Sequence, residues 1–180
     1  MSTVRALVQR LQACPPGTVG WREFELACTD ALTYLFVPPL QPPRIQARTY
    51  SQVDRRDAIF PNREFDDASN WGRMHQELGA RLIPFEFKNY DSSDITKDEV
   101  TQTAHYLKIG TMGRLAIMCC SKQPDVAAHR TRNTIFSEEK KVILFLSVDQ
   151  LVEMLYIKER GEDPSDLLLD LIEDFYIQHE

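Results

Sequence analysis

A chain of 180 residues, 43% hydrophobic and 27% charged, has room for one substantial core and the composition of a soluble globular domain. No apolar run approaches the roughly 20 residues of a membrane span, and residues 1–12 lack the apolar centre of a secretory signal. A net charge of −6 excludes a generic tight nucleic-acid binder, but ten acids against Lys158 and Arg160 give 149–180 a charge of −8 and leave 1–148 at +2, which suits a local phosphate groove.

Val4, Leu7, Val8 and Leu11 make a helical stripe over 3–13, broken by Cys14-Pro15-Pro16-Gly17. A second helix spans 21–36, with Trp21, Phe24, Cys28, Leu32 and Leu35 at helical spacing. Glu25 sits at the edge of that buried stripe, where a solvent-reaching side chain is the plain reading. Residues 44–52 alternate weakly through Ile45, Ala47 and Thr49 and read as a strand. A turn at Asp54-Arg55 leads into a second short strand that carries Asp57 and stops at Pro61-Asn62. The polar stretch 61–79 is long for a connection and is expected to overhang a site. It holds a short helix over 70–78, with Trp71 and Met74 as apolar anchors.

The stretch 81–89, Arg-Leu-Ile-Pro-Phe-Glu-Phe-Lys-Asn, reads as a buried strand. A side-chain period of two puts Glu86 and Lys88 on one face and Phe85 and Phe87 on the other. An acid and a base in an apolar run are costly to bury, so they must pair or be joined by a metal and a substrate. Pro84 lacks a ladder donor, so regular pairing is expected to begin at Phe85. Beyond the loop Asp91-Ser92-Ser93-Asp94, Thr96 and Glu99 form a capping box for a helix over 97–108. Gln102 and Tyr106, four apart, share one of its faces. Apolar strands follow at 114–120 and 142–148. Between them, 122–141 is partly helical and carries His129, Arg130 and Arg132. Amphipathic helices at 149–157 and 165–177 complete the chain.

Cys14, Cys28, Cys119 and Cys120 show no CxxC spacing and are expected to be reduced and mostly buried, as in a cytoplasmic protein. The histidines have no zinc-site spacing with them. Strands linked by a hairpin pair antiparallel and strands linked by a helix pair parallel, so the element order predicts an α/β sandwich with a mixed sheet.

Four features combine into a resemblance. They are Gly20-x-x-x-Phe24-Glu25 opening the first core helix, Asp57 on the second strand of a hairpin, Glu86-Phe87-Lys88 on the next strand, and Gln102 with Tyr106 on the helix after it. Together, over about 20–148, they resemble the PD-(D/E)xK nuclease superfamily. The departure is Arg56, where the family name has proline. The resemblance implies a restriction-endonuclease-like α/β/α sandwich with a central mixed β-sheet, one domain over 1–180. Its core is about 20–148, with extra acidic C-terminal helices over 149–180. It also implies a Mg²⁺-dependent endonuclease, with Mn²⁺ as a substitute. Asp57, Glu86 and the main-chain carbonyl of Phe87 would be the ligands, with Glu25 holding a second metal or a metal-bound water. Lys88 would orient the attacking water and stabilise the charged phosphorane, and Gln102 would position a ligand or phosphate.

Arg55, Arg56, Asn89, Arg130 and Arg132 are the expected nucleic-acid contacts. A solvated helix face competes for Arg130 and Arg132, and a structural pairing with Arg55 or Arg56 competes for Asp57. The expected substrate is nucleic acid, DNA ahead of RNA. A defence-type nuclease under the control of a protein partner, or a homodimer able to cut both strands, fits so small a chain. The competing function is a non-catalytic pseudo-nuclease subunit docking through its acidic C-terminal helices, in which Glu86 and Lys88 form only a structural ion pair.

Overall fold

The stripe of Val4, Leu7, Val8 and Leu11 folds as helix α1 (Thr3–Gln12), and the next apolar repeat as helix α2 (Trp21–Phe36), in a computed structural model that describes residues 2–48 and 55–179. The weak alternation from Arg44 forms β1 (Arg44–Arg48), and the Asp57 run forms β2 (Arg55–Pro61). The end of the expected first strand, Thr49 and the Asp54 turn lie outside the described residues. Helix α3 (Asn70–Leu78) starts where the Ser69 hydroxyl accepts from the Gly72 N–H, and it stops at Gly79 with φ of 60°.

Strand β3 (Leu82–Lys88) leads into α4 (Lys97–Tyr106). The expected capping box opens α4, with Thr96 and Glu99 each accepting from the other's end of the first turn. The chain ends with β4 (Leu115–Cys120), α5 (Val126–Glu139), β5 (Val142–Ser147), α6 (Val148–Glu159) and α7 (Asp166–Gln178).

The five strands lie side by side in chain order. β1, β2 and β3 are antiparallel to their neighbours, and β3, β4 and β5 run parallel. The mixed sheet is thus the one that the hairpin and helix links predict. The role of Pro84 differs between its two sides. Pairing with β4 does begin at Phe85, opposite Ile117, but pairing with β2 runs from Leu82 and places Pro84 opposite Ile59. A proline is tolerated there because the ladder toward β2 does not need its missing N–H at that register.

Alternation along the strands divides the core into two layers. Phe60, Ile83, Phe85, Leu115, Ile117 and Leu144 face one way, into a cluster shared with α1, α2, α3, α6 and α7. Met118, Cys120 and Ile143 face the other way, toward Val100 and Ala104 of α4 and Ala128 and Ile135 of α5. Helices therefore cover both faces of the sheet. Each fully buried large apolar side chain contributes about 1.5–3 kcal/mol, so the sheet is held from both sides.

One expectation about a peripheral segment changes. The stretch from Pro61 to Gly79 does not hang over the cavity described below. Trp71 packs edge-on against Phe36 at 4.9 Å between ring centres, and the Asn62 amide donates to the carbonyls of Trp71 and Ala80. In α7, Leu168 is fully buried, and Leu167 and Leu169 lean on the same core. All four cysteines are free thiols, with Cys14 half-buried and the others buried. No helix among the described residues is long and apolar enough to cross a membrane.

Candidate active site

The Ala58–Phe85 pairing between β2 and β3 brings Asp57 beside Glu86. Residues opposite each other on paired strands share a face, and Lys88, two further along, joins them. Asp57 is locked by its own neighbour strand, its Oδ2 accepting from the Phe87 N–H at 2.9 Å. The Lys88 ammonium stands 4.0 Å from Glu86 Oε2. Helix α4 adds Gln102 and Tyr106, and helix α2 adds Trp21 and Glu25. These eight residues, Phe87 included, line one cavity of about 300 Å³. Asp57, Glu86, Lys88, Glu25 and Gln102, expected to act together, are therefore gathered in one place by four separate elements.

Glu86 is held against the electrostatics of its surroundings. It is 3% exposed, and its Oε1 has no hydrogen-bond partner. Burial, and then the neighbouring Asp57 charge, push its carboxyl up to about 8, against the smaller opposing pull of Lys88. A carboxylate pair with one orphaned oxygen in an open cavity has the chemistry of a hard-cation site. An ion there would compensate the charge that burial penalises. Asp57 and Glu86 fit Mg²⁺ or Mn²⁺ on this ground, since Mg²⁺ is usually held by one or two carboxylates and keeps several waters.

Among the described residues no three His, Cys, Asp or Glu side chains converge as a metal-binding group, so Glu25 does not close a triad with Asp57 and Glu86. Glu25 is buried at the edge of α2 rather than reaching solvent, and its Oε1 accepts from the Gln46 amide at 3.2 Å. Gln46 is a residue that sequence reasoning missed. The β1–β2 pairing skips it, its φ is +52°, and the register sets it across from Asp57. A non-glycine residue in this conformation beside a cavity is a frequent mark of a functional site. A polar residue between Ile45 and Ala47 was the only trace of it in the sequence.

The expected nucleic-acid contacts divide. Arg56 is corrected: it is 6% exposed, donates to the Tyr106 carbonyl at 3.2 Å and lies 5.5 Å from the Tyr106 ring centre. Lys141, also buried, donates to the Ala104 carbonyl. These two cations satisfy the open C-terminal carbonyls of α4 and pin that helix to the sheet, a structural task that leaves Arg56 out of reach of a ligand. Asn89 is likewise engaged, its amide donating to the carbonyls of Pro15 and Gly17. Arg132 lies 4.9 and 4.6 Å from the ring centres of Phe145 and Phe175, away from the cavity, and burial lowers its pKa to about 10. Arg130 is exposed on α5 and does not line the cavity. Arg55 opens β2, but its side chain lies outside the described residues.

No protein-family model matches the chain, and no solved structure does. The chain is 28% identical over 124 residues to the "Putative transposon gamma-delta 80.3 kDa protein" of Escherichia coli (strain K12). That match covers 69% of this chain, and it spans 17% of the length of the transposon protein.

Proposed function

We propose that the chain is a metal-dependent phosphodiesterase that hydrolyses nucleic acid, DNA ahead of RNA, on a restriction-endonuclease-like frame. One observation carries this reading: Asp57, the Glu86 carboxylate with its unpartnered Oε1, and the Lys88 ammonium meet on one face of β2 and β3 inside an open cavity. Three antiparallel strands followed by two parallel ones, with α2 leading in and α4 covering the site, suit the same frame.

Asp57 and Glu86 are the residues that would hold Mg²⁺ or Mn²⁺. Such an ion, when bound, polarises a phosphoryl oxygen and makes a water acidic enough to attack phosphorus. The Phe87 N–H holds the Asp57 carboxylate in place, so that ligand does not have to be reoriented when charge develops. Lys88, partly exposed at 16%, can reach a non-bridging phosphate oxygen and offset the charge that grows on it during attack. Gln102, exposed on α4, supplies an amide to the substrate backbone or to the attacking water. Glu25, fixed by Gln46, is placed to accept a hydrogen bond from substrate or water rather than to complete the ion's inner ligand set. The partial likeness to a transposon protein is neutral on this chemistry.

The test is a cleavage assay of the purified chain on plasmid DNA, single-stranded DNA and RNA, in Mg²⁺, Mn²⁺ and chelator. Divalent-dependent loss of one substrate, absent in Lys88→Ala, supports the reading and names the substrate. A folded protein that cuts none of them, and whose ion affinity is unchanged by Asp57→Asn, moves the weight to a non-catalytic protein-docking subunit.

A further inference from the structure

Trp21 is 44% exposed, although the other tryptophan, Trp71, is 2% exposed. Its indole lines the catalytic cavity and also a second, neighbouring cavity of about 450 Å³; Phe87 and Lys88 line both as well. The second cavity continues over Asn89 to Asp91, Ser93 and Thr18. The Trp21 indole is an exposed aromatic plate at the junction of the two cavities. The Arg22 guanidinium stands 5.5 Å from the ring centre and places a cation beside it.

The second cavity offers a base a stacking face at Trp21 and hydrogen-bond acceptors at its far side. Two of its polar groups are acceptors, the Asp91 carboxylate and the amide oxygen of Asn89, whose NH₂ is already spent on Pro15 and Gly17; Lys88, Thr18 and Ser93 line the same cavity and can donate. The Ser92 N–H and hydroxyl both donate to Asp91 and hold its carboxyl below the usual range, so it is charged at neutral pH. A phosphate is attracted by Lys88 and repelled by Asp91. The exocyclic amino group of cytosine or adenine would be accepted, with the ring lying on Trp21.

We propose that Trp21, Asp91 and Asn89 form a nucleobase subsite that takes one unpaired, amino-bearing base next to the phosphate held at Lys88. The proposal rests on the nuclease reading and deepens it: the substrate is single-stranded, or locally unpaired, at the position beside the cut. A paired base has its stacking faces and its Watson–Crick edge already occupied, so it cannot lie on Trp21.

The test is binding in chelator, where no cleavage occurs. Trp21 is the exposed one of two tryptophans, so its fluorescence reports the stack directly. Short single-stranded cytosine or adenine oligodeoxynucleotides are expected to quench it, thymine strands less, and a duplex of mixed sequence not at all. By anisotropy of a labelled cytosine strand, Trp21→Ala weakens binding roughly 5- to 150-fold, the worth of one base–aromatic stack. Trp21→Phe keeps most of the affinity, and Asp91→Asn erases the preference for cytosine over thymine. Equal quenching by duplex, or unchanged affinity in a folded Trp21→Ala, overturns the subsite. Neither result depends on whether the chain cuts DNA in Mg²⁺, so failure of the subsite and failure of the nuclease reading are distinguishable.

Discussion

Two strand pairs of one sheet have been put to opposite uses. In β4 and β5 every residue from Leu115 to Cys120 is buried, and Val142, Ile143, Leu144 and Leu146 are buried opposite them. Neither strand carries a charge. In β2 and β3 the same kind of apolar run is interrupted by Asp57, Glu86 and Lys88 at the ends that meet the open cavity. The parallel pair pins the sheet between two layers of helices. The antiparallel pair uses that rigidity to hold charges where burial opposes them. Stability and chemistry are thus separable along the sheet, and substitutions in the two pairs should produce different signatures.

Lys88→Ala should give the largest effect. Removing one charge-stabilising donor costs about 100- to 1,000-fold in kcat for metal-dependent cleavage, with little change in Tm because Lys88 is partly exposed and its pair with Glu86 is long. Ile117→Ala should do the reverse. Ile117 is fully buried in β4, so its truncation costs about 2–5 kcal/mol of stability in denaturant unfolding. Cleavage per folded molecule, well below the melting range, should be unchanged.

A smaller effect comes from the site's own electrostatics. Glu86 binds its proton more tightly in the folded chain, at about 8, than at its ordinary value of 4.5. The folded state then holds more protons than the unfolded one between these values, so stability falls as pH rises through that window. In chelator, the native chain should lose up to about 1.4 kcal/mol per pH unit relative to Glu86→Gln over this range. A parallel pair of pH–stability curves would show that Glu86 carries no such penalty. Smallest is Glu99→Ala. Glu99 accepts from the Thr96 N–H, the Thr96 hydroxyl and the Tyr90 hydroxyl, and its loss should cost about 1 kcal/mol by thermal unfolding. Cleavage should fall only slightly, since α4 remains anchored at its other end by Arg56 and Lys141.

The same contrast explains what could be read in advance. β4 and β5 were legible because a run with no charge has few alternatives to a doubly covered strand. Thr96 and Glu99 located the start of α4 to the residue because a capping box is a local signal. Glu86 and Lys88 were legible because charges in such a run demand a partner. What local pattern could not supply was direction in space. Arg56 and Asp57 are adjacent, and alternation along β2 turns one to the end of α4 and the other into the cavity. Arg132 reads as a phosphate contact on a solvated helix, but α7 returns across α5 and brings Phe175 against it. Beyond its polarity Gln46 gave no signal, since its positive φ depends on the strand beside it and not on its own residue type.

The central claim is that the paired carboxylates of β2 and β3 form a divalent-ion site rather than a structural ion pair with Lys88. Calorimetric titration of the purified chain with Mn²⁺ tests it most directly. Saturable binding that Asp57→Asn abolishes, while the variant stays folded, is the expected result. No binding by the native chain, or binding that Asp57→Asn leaves untouched, would contradict it.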